Sequence, residues 1–272
     1  MASIKTPTVS SVERTLRILE LLAASRAGLT LPEISRRLSL PKSSTHCLLL
    51  TLERCGYLTC NKTTRRFMFG LKLFGLANMA LSGIKLREQA RPFLHSLMNE
   101  TGLTVHMAIL EQGEVVLVEK IGPAGMPKLA TWVGKRMDLH CTGVGKAILA
   151  HLPEEDVRSV ISAHGLPRHN ENTIASARRL REALAETQRL GYALDDEEDE
   201  IGARCIGAPI FDPRGKVIAA VSVAGTNEQI TPENLSLYAG MVKQAAAAVS
   251  RTLLSGEEAG VPKADGSAAS TA

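Results

Sequence analysis

Residues 29–52 read LTLPEISRRLSLPKSSTHCLLLTL, and this stretch decides how the first third of the chain is understood. Thr30-Leu31-Pro32-Glu33 has the form of a capping box, in which a threonine hydroxyl and a glutamate three residues on satisfy free amides at a helix start. Leu29 and Ile34 hold the staple positions around it, so a short helix is expected over 31–38. Ser39-Leu40 makes a tight connection, and Pro41 suits the first turn of the next helix. That helix gathers Thr45, Leu48, Leu49 and Leu52 on one face and ends before Gly56.

The pattern extends in both directions. Upstream, SVERTLRILELLAA repeats Val12, Leu16, Leu19 and Ala23 at helical spacing, with Gly28 as its terminator. Downstream, Tyr57-Leu58-Thr59-Cys60 and Arg66-Phe67-Met68-Phe69 are β-prone runs around residues 61–65, a hairpin. Residues 71–86, LKLFGLANMALSGIKL, form an apolar helical segment that carries the domain joint. Three helices and a hairpin in about 70 residues follow the winged helix-turn-helix plan.

In that plan the second helix of the pair enters the major groove of DNA. With Thr45, Leu48, Leu49 and Leu52 buried, Ser43, His46 and Cys47 point outward beside Lys42 and Ser44. Lys42, Ser43, Ser44 and His46 are therefore the candidate contacts to phosphates and base edges. Arg65 and Arg66 would form a basic wing, and Arg36 and Arg37 would neutralise phosphates. Blander readings stand beside these: Lys42-Ser43-Ser44 as a solvated helix start, and His46 as a surface histidine. Leu50 also falls outward, with no reason visible in the sequence.

Charge supports the nucleic-acid reading. The net charge of +4 divides into +9 for residues 1–86 and −5 for the remainder. A basic third joined to an acidic body is the signature of a chain whose first part meets a polyanion. Apolar residues make up 44% of the 272, enough for a folded core, and no apolar run reaches the ~20 residues of a membrane span. The first eleven residues are polar and lack a secretory signal, and the five cysteines contain no C-x-x-C pair. The expectation is a reduced, cytoplasmic protein with no membrane partner, no cofactor and no metal site.

The rest of the chain reads as α/β. Residues 87–100 are helical; 104–110 and 115–121 are strands across Glu111-Gln112-Gly113-Glu114, with 129–133 a third candidate strand. Helices are expected over 143–151, 153–164 and 176–190. A hairpin over Asp212-Pro213-Arg214-Gly215 joins strands 203–211 and 216–224. A long helix capped by Thr231 runs from 232 to about 254, and 255–272 is expected to be a disordered tail.

With these motifs in place, the chain from about 10 to 254 resembles the isocitrate-lyase-regulator (IclR) family of bacterial transcription factors. The N-terminal marks are SVERTLRILELL, the helix-turn-helix stretch above and the wing up to FMFGLKLFGLA. The C-terminal marks are LHCTGVGKAILA and GYALDDEEDEIGARCIGAPIFDPRGKVIAAVSVAG. The resemblance implies an α+β chain: a winged helix-turn-helix over 1–70, a linker helix over 71–86, and a GAF-like or profilin-like α/β effector-binding domain over 87–254. It implies a homodimer or tetramer on a double-stranded operator, repressing rather than activating, under control of a small organic acid or aromatic metabolite. Motif by motif, effector contacts fall on Gly143, Val144, Asp195, Cys205 and Ser222. Amides at the start of the helix at Gly143 suit a carboxylate.

One position departs from the family pattern: some relatives carry a second serine where this chain has Ala224, which points away from a very small, highly polar effector. Trp132 and Met126 are either pocket lining or ordinary core. The acidic run 195–200 would by itself be a solvated face, and Cys205 a small buried hydrophobe. The rival reading is an enzyme that processes a small acid with Cys205 or Cys141 as nucleophile beside His140. It leaves residues 10–70 unused.

Overall fold

The computed structural model describes residues 8–25, 27–123 and 129–258. Met126 and residues 259–272, most of the expected tail, lie outside them. The chain divides into two compact units at Gly83/Ile84.

The first unit starts with α1 (Ser10–Ala23), β1 (Leu29–Thr30), α2 (Leu31–Arg37) and α3 (Lys42–Arg54). β2 (Leu58–Cys60), β3 (Arg66–Phe69) and α4 (Leu71–Ser82) complete it. Its core joins Ile18 and Leu22 of α1 to Ile34, Leu49, Leu52, Leu58 and Phe67. The α1 stripe anticipated from the sequence is therefore not the core face. Val12 and Leu16 are 54% and 52% exposed, because α1 carries two apolar stripes and the one through Ile18 and Leu22 is buried. Gly28 does not end α1 either. It sits at φ +68° beside β3, where a Cβ would lie 2.5 Å from the Phe67 carbonyl oxygen, so only glycine allows the approach. That approach lets β1 pair antiparallel with β3, a third wing strand too short to read from sequence.

The apolar segment 71–86 is not one helix. α4 ends at Ser82, and α5 (Lys85–Thr101) begins after Gly83-Ile84. No residue of α4 is buried within its unit, and Leu71, Phe74 and Met79 are 89%, 68% and 75% exposed.

The second unit follows α5 with the hairpin β4 (Thr104–Glu111) and β5 (Glu114–Ile121), whose turn places Gln112 and Gly113 at positive φ. β6 is Arg136–Met137; the strand expected over 129–133 does not form, and that segment is irregular. Then come α6 (Gly143–Leu149), α7 (Glu154–His164), α8 (Ala177–Leu190), β7 (Ala193–Asp196), β8 (Ala203–Phe211), β9 (Val217–Thr226) and α9 (Pro232–Glu258). α9 runs past the expected end near 254, taking 255–258 out of the tail.

The sheet order is β6-β5-β4-β9-β8-β7, every pairing antiparallel. Period-two alternation gives it two faces. Val105, Met107, Ile206, Ala208, Val221 and Val223 turn to one side and pack with α5 and α9. Ala108, Ala193 and Ala220 turn to the other and pack with α6 and α8. The result is the α/β domain expected from the sequence, with helices on both faces of one sheet.

Candidate functional site

On the first unit, the helix-turn-helix is fixed by local chemistry. The Glu33 carboxylate accepts the Thr30 N–H at 2.7 Å and the Thr30 hydroxyl at 2.9 Å, which holds its pKa below the usual carboxylate range. The turn to α3 is tied by Ser35, whose hydroxyl donates to the Leu40 carbonyl at 2.7 Å, with Ser39 left-handed at φ 53°. α3 buries Thr45, Leu49 and Leu52 and exposes Lys42, Ser43, His46, Cys47 and Leu50; Ser44 is half-buried. Four candidate residues thus stand on the first turns of one helix, on or beside its open face. Leu50 extends that face one turn further.

At the wing, Asn61 Oδ1 accepts the Thr63 and Thr64 amides at 3.0 Å each, closing a turn that leaves Arg65 exposed at φ 55°. Arg66 differs from the expectation. Its guanidinium donates to the Gly28 carbonyl at 2.7 Å and meets Glu33 at 3.4 Å, so it ties the wing to the capping box instead of reaching outward.

On the second unit, strand register builds a polar row on the α6 face of the sheet. His106 of β4 pairs with Ser222 of β9, and Ser222 with Gly207 of β8. Two residues along, Thr104, Ala224, Cys205 and Asp195 follow one another across four strands. A cavity of about 40 Å³ opens against this row, lined by Gly143, Val144, Asp195, Cys205 and Ser222 together. All five effector candidates share it. Ala224 is in its wall as well, so the missing hydroxyl is a property of the cavity surface.

Glycine makes the close packing possible. A Cβ on Gly207 would lie 2.3 Å from the Gly143 carbonyl oxygen, so the start of α6 rests directly on β8. Thr142 caps α6 by accepting the Gly145 N–H at 3.1 Å.

Two residues of the acidic run, Asp195 and Glu198, are turned inward and away from solvent. Asp195 is 3% exposed, its Oδ1 accepts the Glu198 amide at 2.9 Å, and burial pushes its pKa up to about 7. Glu198 is buried too, paired with Lys146 of α6, which also donates to the Leu194 carbonyl. Lys146 is thereby consumed behind the wall, and no lysine or arginine lines the cavity among the described residues.

Sequence reasoning missed His106 and Thr131, which face the same space. His106 Nε2 lies 3.0 Å from Thr131 Oγ1, and burial, with the charges of Lys120 and Lys135, lowers its pKa to about 3. It is a neutral polar group at any physiological pH. No local motif marks it; only the register opposite Ser222 does. Trp132 is neither lining nor core: it is 55% exposed, with the Lys135 ammonium 5.5 Å from its ring centre.

The two cysteines of the rival enzyme reading are poorly suited to attack. Burial first, and then neighbouring carboxylates, pushes the Cys141 and Cys205 thiols up, away from the thiolate. The fold does place His169, from between α7 and α8, beside His140 and Cys141.

Comparison with known proteins matches both units. Residues 11–61 match the IclR helix-turn-helix domain, and 78–251 match the bacterial transcriptional regulator IclR C-terminal domain. The chain is 34% identical to the HTH-type transcriptional regulator XynR of Escherichia coli K12 over 91% of its own length and 98% of that protein. It is 33% identical to the transcriptional repressor IclR of the same organism, over 88% of each chain. In three dimensions it is similar, with a TM-score of 0.76 and 27% identity over 90% of this chain and 99% of the other, to an IclR homologue from Microbacterium hydrocarbonoxydans crystallised with 4-hydroxybenzoate. The chain belongs to the IclR family of bacterial transcriptional regulators.

Proposed function

We propose that this regulator is a cytoplasmic repressor that binds a double-stranded operator as a homodimer and responds to a small organic acid or aromatic metabolite in the cavity of its second unit. The observation that carries this reading is the convergence of Gly143, Val144, Asp195, Cys205 and Ser222 on one cavity. The relative bound to 4-hydroxybenzoate supports a ligand of that class. Homologous repressors support the sign of regulation.

DNA would be held by Lys42, Ser43, Ser44 and His46 at the start of α3, with Arg65 on the flanking backbone. The exposed apolar faces of α1 (Val12, Leu16) and α4 (Leu71, Phe74, Met79) support pairing of two copies, since surfaces of this kind rarely stay open to water. The ligand can shift DNA-competent and DNA-incompetent states only by its differential affinity for them.

The test is thermal unfolding of the full chain against a panel of organic acids and aromatic metabolites. A ligand at 100 times its dissociation constant adds about 2.7 kcal/mol of stability. The shift is expected to be lost when Ser222→Val fills the cavity wall. A shift that survives this substitution unchanged places the ligand elsewhere.

A further inference from the structure

We propose that His140, Cys141 and His169 form a binding site for a transition-metal ion of the zinc class, separate from the effector contacts. One ligand atom from each of the three residues lies within 4.8 Å of those of the other two. His140 and Cys141 are buried just ahead of α6, while His169 comes from between α7 and α8 and stays accessible.

The hydrogen bonds around the rings set up both histidines as ligands. His140 Nε2 lies 3.0 Å from the Pro167 carbonyl oxygen, which can only accept, so this nitrogen carries the proton. His169 Nε2 lies 2.8 Å from Asp138 Oδ2 and likewise donates. In each neutral ring the bare lone pair is then on Nδ1. Metal-bound imidazoles show this same arrangement, with the second nitrogen donating to a carbonyl or a carboxylate that fixes the tautomer and orients the ring. The two rings are near-parallel, 24° apart, with centroids 6.2 Å from each other.

The donor set selects the ion. Two imidazoles and one thiol suit zinc and its neighbours and exclude magnesium and calcium, which take oxygen ligands. Tetrahedral bonds of about 2.0–2.3 Å place ligand atoms about 3.5 Å apart, so the ion draws the cluster inward by roughly an ångström. Binding releases the Cys141 proton to solvent and leaves a thiolate on the metal. The Asp138 carboxylate, bonded to His169, places a negative charge beside the cluster that favours a cation there. Three protein ligands leave a fourth position for water.

The test uses the full chain, reduced and stripped with a chelator, titrated with Zn²⁺ alone and, in parallel, with Co²⁺ as the spectroscopic probe. One ion per chain is expected, with a thiolate-to-cobalt charge-transfer band that Cys141→Ser abolishes. His169→Ala, at an accessible position that leaves the core intact, should weaken Zn²⁺ at least tenfold. Asp138→Asn, which loosens the His169 ring, should weaken it 10–100-fold while keeping the cobalt band. Absence of stoichiometric binding overturns the proposal. So does binding that is unaltered in both Cys141→Ser and His169→Ala, because the ion then sits on other groups.

Discussion

The two units place their functional groups in opposite ways. The candidate DNA face is one helix, α3, with Lys42, Ser43 and His46 exposed on successive turns. The cavity is assembled from β4, β9, β8, β7 and the start of α6, and His106, Thr142, Asp195 and Ser222 on its wall are buried. An exposed face reads a polyanion through charge and tolerates side-chain loss. A buried polar row must be satisfied internally, so a change there disturbs folding as well as binding. Substitutions in the cavity unit should therefore register first in stability, and those on α3 first in affinity.

The largest expected effect is at Lys146. Lys146→Met leaves Glu198 buried without its partner and should cost about 3–5 kcal/mol in denaturant unfolding. The pair Lys146→Met with Glu198→Leu should recover most of that loss, since no charge is then stranded. Next is Asp195, whose folded pKa of about 7 lies above its ordinary 3.8. The native state thus holds a proton that the unfolded state has lost, so this group's contribution to stability falls as pH rises from about 4 to 7 and is constant above. Asp195→Asn should raise the melting temperature at pH 8, by about 1–3 kcal/mol in stability, and have much less effect at pH 4.

Gly207→Ala drives a methyl into the Gly143 carbonyl and should destabilise by about 1–3 kcal/mol while leaving α3 unaffected. On the exposed face, Lys42→Ala and Arg65→Ala should each weaken duplex binding and lower the salt slope by about 1, with melting temperature unchanged. Arg66→Ala sharpens the contrast. Its guanidinium is occupied by Gly28 and Glu33, so it should cost up to about 1 kcal/mol of stability and leave the salt slope nearly as it was.

These contrasts track what the sequence could and could not show. The capping box at Thr30 and Glu33, the turn at Ser39 and the open face of α3 depend on residues within a few positions of one another, so spacing reveals them. The contacts of Arg66 are not legible from spacing, because its partners lie more than thirty residues upstream. The same holds for α1, where Val12 and Leu16 repeat as regularly as Ile18 and Leu22, and only packing selects the buried pair. In the second unit, family motifs brought Gly143, Val144, Asp195, Cys205 and Ser222 into view. His106 and Thr131 carry no motif and emerge only from the register of β4 against β9. Within the acidic run, Asp195 and Glu198 point inward by strand alternation and by a turn, which composition does not record.

The most direct measurement is operator affinity of the full chain, on duplex DNA selected from a random pool, with and without the compound that stabilises it. A 5–150-fold change in affinity is expected, equivalent to about 1–3 kcal/mol of coupling, with the reciprocal change in ligand affinity on DNA. Ser222→Val should remove this response while leaving DNA binding in place. A compound that occupies the cavity and leaves operator affinity unchanged would show that the cavity does not control DNA binding.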